Sequence, residues 1–200
     1  MTPARTIFAC AAFLLAAPAA IAEPGPSPHE MIESTAEELL VVVRNRRSEL
    51  EANPEALYSV VDEILRPHFD IDYAGRLVMG RYWSRSTPEQ RERFIDALYG
   101  SLVRRYARGL LDYREDTVRV LPHGGLIKLD EDFVTVKTEV KTTSGTMVPV
   151  DYRTRWTDDS WKVFDVIIEG LSYVTHYRTL MGEDMRQKGM DTVIKELEAS

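Results

Sequence analysis

Asp165 and Glu169, inside "WKVFDVIIEG" (Trp161 to Gly170), are the carboxylates whose spacing best suits a reaction. Four residues apart on a regular strand they face one side, and a carboxylate buried there could act as a general base. The plainer and preferred reading is an ion pair across a strand ladder with Arg153 or Arg155. Asp70 and Asp72 are two apart, which points them in different directions on a helix, so Asp70 reads as a helix cap. The four histidines, His29, His68, His123 and His176, are scattered among a proline-rich N-terminal stretch, a turn and two helix ends, whereas a metal site needs several ligands converging from fixed elements. No Gly-rich phosphate loop, Cys-rich zinc pattern, HExxH or nucleophile elbow occurs. Neither a metal, a cofactor nor an enzyme activity is expected.

The elements that must position these residues change character along the chain. Apolar residues at Met31, Ile32, Leu39, Leu40, Val42 and Val43 predict a helix from Met31 to Leu50. Asn53 caps a second, with Pro54 in its first turn, and Pro67 stops it. Asp70 caps a third, with Gly80 as its exit. In "STPEQRERF", Thr87, Pro88 and Gln90 make a capping box, and the apolar stripe behind it predicts a helix to about Tyr113. From there the period becomes alternating. "DTVRVL", "DFVTVKTEVK", "TMVPVDYRTRW" and "WKVFDVIIEG" read as four strands separated by turn chemistry, and short turns favour an antiparallel meander. Pro149 predicts an edge or a bulge in its strand. In the last strand Trp161 and Val163 are read toward one layer and Phe164, Val166 and Ile168 toward the other. Gly170 then breaks the strand and launches helices from Leu171 to about Met181 and from about Asp184 to Leu197.

Helices, then a sheet, then helices is an α+β order, with helices packed on one concave face of a four-stranded antiparallel sheet. Tyr82, Trp83, Tyr99, Tyr106, Tyr113, Tyr152, Trp156, Tyr173 and Tyr177, with the aliphatic stripes, offer more apolar positions than one thin interface requires. An apolar cavity would use the surplus; a fully packed core is the alternative.

The first 22 residues read as a cleaved secretory signal peptide: Arg5, an apolar run, then "AIA" at Ala20 to Ala22. Cleavage removes Cys10, the only cysteine, so the exported chain folds without disulfides. No later segment approaches the roughly 20 apolar residues of a membrane-spanning helix. The expected organisation is a signal peptide at 1–22, a flexible leader at 23–30, and one domain at 31–200. That domain is helical over 31–113, a sheet over 114–169, and helical again over 170–198. Without Arg5, 24 basic side chains face 32 acidic ones. An excess of that size argues against nucleic acid and against docking on anionic lipid head groups.

The stretches "RPHFD", "LVMGRYW", "TPEQRERF", "VPVDYR" and "WKVFDVIIEGLSYVTHYR" occur in an order that resembles MlaC, the toluene-tolerance family of periplasmic phospholipid-binding proteins. The resemblance implies a cystatin- or NTF2-like sheet with a helical lobe enclosing an acyl-chain cavity. It also implies a periplasmic carrier of phospholipid between an outer-membrane lipoprotein complex and an inner-membrane ABC transporter complex, maintaining outer-membrane lipid asymmetry, with no stable membrane insertion. Carried over by motif, Tyr82, Trp83, Val148, Val150, Tyr152, Val166, Ile168, Leu171 and Val174 become candidate lining. Phe164 joins them from the strand, and Leu98, Leu102 and Tyr106 from the long helix. The alternative is an enzyme of ketosteroid-isomerase-like fold using Asp165 or Glu169.

Overall fold

The computed structural model describes residues 25–112, 118–122 and 132–200. The expected signal peptide with Cys10, and also Tyr113 and His123, lie outside the described residues.

Five of the seven α-helices among the described residues start where a side chain answers unpaired backbone N–H groups. Helix α1 (Pro28–Asn45) begins three residues before the expected Met31. Ser27 Oγ accepts from the Glu30 N–H at 3.2 Å while the Ser27 N–H donates to Glu30 Oε2 at 2.7 Å, so the leader ends in a capping box. The helix expected to run to Leu50 is two, because the chain leaves helical geometry at Arg46 before α2 (Arg47–Ala52). Helix α3 (Pro54–Leu65) starts at Asn53 and α4 (Ile71–Met79) at Asp70, whose Oδ1 accepts from the Tyr73 N–H at 3.0 Å. A 3-10 turn over Gly80–Arg85 leads to α5 (Pro88–Tyr106), capped by the Thr87 and Gln90 box. That helix tightens into a 3-10 segment, Ala107–Asp112.

The sheet has five strands rather than four, in the order β1 (Val118–Val120), β2 (Phe133–Lys141), β3 (Met147–Thr157), β4 (Ser160–Ile168) and β5 (Leu171–Ser172), all antiparallel neighbours. The fifth arises because Glu169 and Gly170, at φ 51 and 83, form a two-residue hairpin turn that returns the chain onto β4. Helix α6 (Tyr173–Lys188) therefore starts two residues after the expected Leu171. It also runs past the expected break near Met181: Tyr177, Met181 and Met185, four apart and all buried, hold the helix through Gly182. The chain turns only at Gly189, whose φ of 82 suits glycine alone, before α7 (Met190–Ala199).

Strand β4 carries the main correction. Thr154 pairs with Val163 and Arg153 with Asp165, so Phe164 is an extra residue bulged out of the ladder. Val163 and Val166, three apart, pair with Thr154 and Tyr152, two apart, and so share one face with Trp161 and Ile168. The expected split of Trp161 and Val163 from Val166 and Ile168 does not occur. Pro149 is not the bulge. Its carbonyl accepts from the Glu169 N–H at 3.1 Å, and the β3–β4 pairs begin only at Val150.

Three apolar clusters hold the layers together. Met31 and Ile32 of α1 pack on Val134, Val136 and Val163 of the sheet. Leu50, Leu57 and Val43 join α1, α2 and α3. Phe94, Met79, Met181 and Ile194 join α4, α5, α6 and α7. Among the described residues no helix is long and apolar enough to cross a membrane.

Candidate functional site

Between α3, α4, α5, the following 3-10 segment, β4 and α6 lies a cavity of about 490 Å³ with an almost wholly apolar lining. That volume falls within the range of sites that hold organic ligands. Ile71, Ala74 and Val78 present one face of α4 to it, and Ile95, Leu98, Leu102, Val103 and Tyr106 one face of α5. The two helices meet closely because residue 75 is glycine: a Cβ there would stand 2.5 Å from Ile95 Cγ1. Strand β4 supplies Phe164, Asp165, Val166 and Ile168, and α6 supplies Tyr173, Val174 and Tyr177. Tyr106, 47% exposed, and the exposed Gly109 mark the side that opens to solvent.

Polar groups in this lining are few. Asp165 is 3% exposed, yet its carboxylate accepts from Ser172 Oγ at 2.7 Å and from the Val174 N–H at 3.0 Å, with the Arg153 guanidinium at 3.7 Å across the ladder. It thus closes the first turn of α6, and the preferred ion pair forms with Arg153. Arg155 instead meets Asp70 at 2.7 Å. Glu169 does not share Asp165's side; it lies exposed in the hairpin turn. Tyr99 is held above its ordinary pKa first by burial and then by the Asp62 charge, with Arg66 opposing. Its hydroxyl is buried without a hydrogen-bond partner among the described residues. Burial likewise raises Tyr173 and Tyr177, with Tyr106 adding to both.

Of the residues singled out in the sequence, Leu98, Leu102, Tyr106, Phe164, Val166, Ile168 and Val174 line the cavity. The others lie elsewhere. Tyr82 donates to the Gly182 carbonyl at 3.3 Å, and the guanidinium groups of Arg91 and Arg76 lie 4.7 and 5.8 Å from the centre of the Trp83 ring. Val150 is buried in the ladder, Val148 pairs with Val140, and Tyr152 packs in the cluster under α1. Leu171 is 52% exposed on β5. Missed were Val61 and Leu65 of α3, Phe69, and the α4 face. The helical spacing of Ile71, Ala74 and Val78 was the available signal.

A meander sheet and a helical shell around an open-sided apolar cavity define an α+β protein shaped to hold a hydrophobic ligand. Comparison with known proteins agrees. The model of the family "MlaC protein" matches residues 33–199, and the chain belongs to that family. It is 29% identical over 180 residues to the toluene tolerance protein ttg2D of Pseudomonas putida, covering 89% of this chain and 82% of that protein. It is 25% identical over 197 residues to the intermembrane phospholipid transport system binding protein MlaC of Haemophilus influenzae, covering 96% and 89%. Among solved structures, a phospholipid-binding protein of Ralstonia solanacearum in complex with a phospholipid superposes with a TM-score of 0.79 at 25% identity, covering 87% of this chain and 96% of that one.

Proposed function

We propose that this chain binds phospholipid in the cavity between α4, α5, β4 and α6 and carries it through the periplasm. The carrying observation is the apolar cavity of about 490 Å³ in a chain that superposes on a phospholipid-binding protein solved with a phospholipid. Each acyl methylene withdrawn from water contributes about 0.8 kcal/mol, so two long chains cross an aqueous space only inside a sleeve. Leaving a bilayer costs a similar amount per methylene, so exchange between membrane and cavity is close to neutral. Direction is then set by the partners: an outer-membrane lipoprotein complex at one end and an inner-membrane ABC transporter complex, which supplies ATP hydrolysis, at the other. In this reading the chain is an exported carrier that maintains outer-membrane lipid asymmetry.

The three partners of Asp165 support a structural role for that carboxylate rather than that of a general base. Organic extraction and mass spectrometry of the natively purified protein test the carrier reading. About one equivalent of phospholipid is expected, and a folded sample with none would refute it.

A further inference from the structure

The open side of the cavity carries a hydroxyl cluster that no acyl chain can use. Tyr106, Tyr173 and Tyr177 all line it. The hydroxyls of Tyr106 and Tyr177 stand 3.3 Å apart. Tyr173 packs near both rings, with centroids at 5.8 and 6.2 Å, and burial first, then the Tyr106 hydroxyl, raises its pKa. Each tyrosine has one donor. The Tyr106–Tyr177 hydrogen bond uses one of that pair's two donors, so one O–H is left over beside the Tyr173 hydroxyl. The cluster straddles the boundary of the cavity, since Tyr106 is 47% exposed and Tyr177 6%.

An amphipathic ligand has its own boundary there. We infer that the Tyr106, Tyr173 and Tyr177 hydroxyls form the subsite for the glycerol-ester region of a diacyl lipid, donating a hydrogen bond to an ester carbonyl. The inference rests on the phospholipid reading and adds the chemical class of linkage that the site selects. A neutral carbonyl suits a half-buried neutral donor. A phosphate would have to be stripped of water to reach the buried Tyr177, and the cation whose charge reaches Tyr177 is Arg105, exposed on α5, which draws a phosphate to the solvent side instead. A tyrosine hydroxyl is a neutral donor at neutral pH, and burial holds the Tyr173 and Tyr177 protons more firmly still.

The experiment compares two phosphatidylcholines with the same C16 chains, one a diester and one a diether, competing at equal concentration for the delipidated full chain, with bound lipid read by native mass spectrometry. One net hydrogen bond corresponds to a preference of about fivefold for the diester. In Tyr106→Phe/Tyr173→Phe/Tyr177→Phe, which keeps the three rings and removes every donor of the cluster, the ratio is expected to fall to about one. Should that variant fail to fold, the wild-type ratio decides by itself. Equal binding of the two lipids by the wild type, or a preference that survives in the folded variant, would overturn the inference while leaving phospholipid binding intact. Binding of neither lipid would remove the phospholipid reading itself, and this subsite with it.

Discussion

Asp165 shows how one residue type supports opposite roles until its partners are known. Buried in an apolar strand, an unpaired carboxylate would be a strong candidate base; here Ser172 Oγ, the Val174 N–H and Arg153 surround it. Removing it takes the acceptor from the Val174 N–H in the first turn of α6 and from the half-buried Ser172 hydroxyl, and leaves Arg153 without its partner. Asp165→Ala is therefore expected to destabilise the fold by about 3 kcal/mol, lowering the melting temperature by roughly 6 to 12 °C, as read by circular dichroism. A change below about 1 kcal/mol would mean that the cap is dispensable. Trp83 teaches the same lesson. Its type and motif pointed toward the ligand, but the guanidinium groups of Arg76 and Arg91 on its ring make it part of the shell.

At the scale of elements, the contact between α4 and α5 decides whether the cavity has walls. Alanine ordinarily improves a helix interior over glycine by about 1 kcal/mol. At position 75 the sign reverses, because the new Cβ would overlap Ile95 Cγ1 at 2.5 Å. Gly75→Ala is expected to cost about 1 to 3 kcal/mol, seen as a lower urea midpoint with an unchanged slope. The helix caps are more independent units. Thr87→Ala removes one half of a capping box and is expected to cost about 1 kcal/mol, checked in the same titration. Such caps are local, which is why Asn53, Asp70 and Thr87 were legible in the sequence. The bulge at Phe164 and the two-residue return into β5 were not, because register is settled by the partner strand.

The cavity itself belongs to the whole molecule, since four helices, a 3-10 segment and a strand contribute to it. Filling it from a position that no cap or ladder depends on separates ligand binding from stability. Ala74→Phe places a ring in the void. If it displaces two methylenes of ligand, the lost burial of about 1.6 kcal/mol lowers affinity more than tenfold, measurable as the fraction of protein that retains lipid after extraction and reloading. Alkaline stability reports on the same walls. Tyr99, Tyr173 and Tyr177 are all held above the ordinary tyrosine value, with burial the leading cause. The unfolded chain loses those protons near pH 10, before the folded one does. Their stabilising contribution is thus whole below about pH 10 and lost as the pH rises further. Urea midpoints are expected to fall from about pH 10 upward, and less steeply in Tyr177→Phe.

What the amino-acid sequence determined by itself was local: the caps at Asn53, Asp70 and Thr87, the place where alternation replaces the helical period, and the turn residues that separate successive long strands. The α+β order follows from those signals. It also marked Leu98, Leu102, Tyr106, Phe164, Val166, Ile168 and Val174, all of which stand on the cavity wall. The tertiary structure alone decided that Tyr82, Trp83, Val148, Val150, Tyr152 and Leu171 face elsewhere, and that α3 and α4 complete the wall. Apolar periodicity records which face of an element leaves water. A packed side chain and an empty space remove that water equally well, and only the arrangement of several elements, with a glycine at 75 to bring two of them together and a bulge at 164 to turn a strand, separates one from the other.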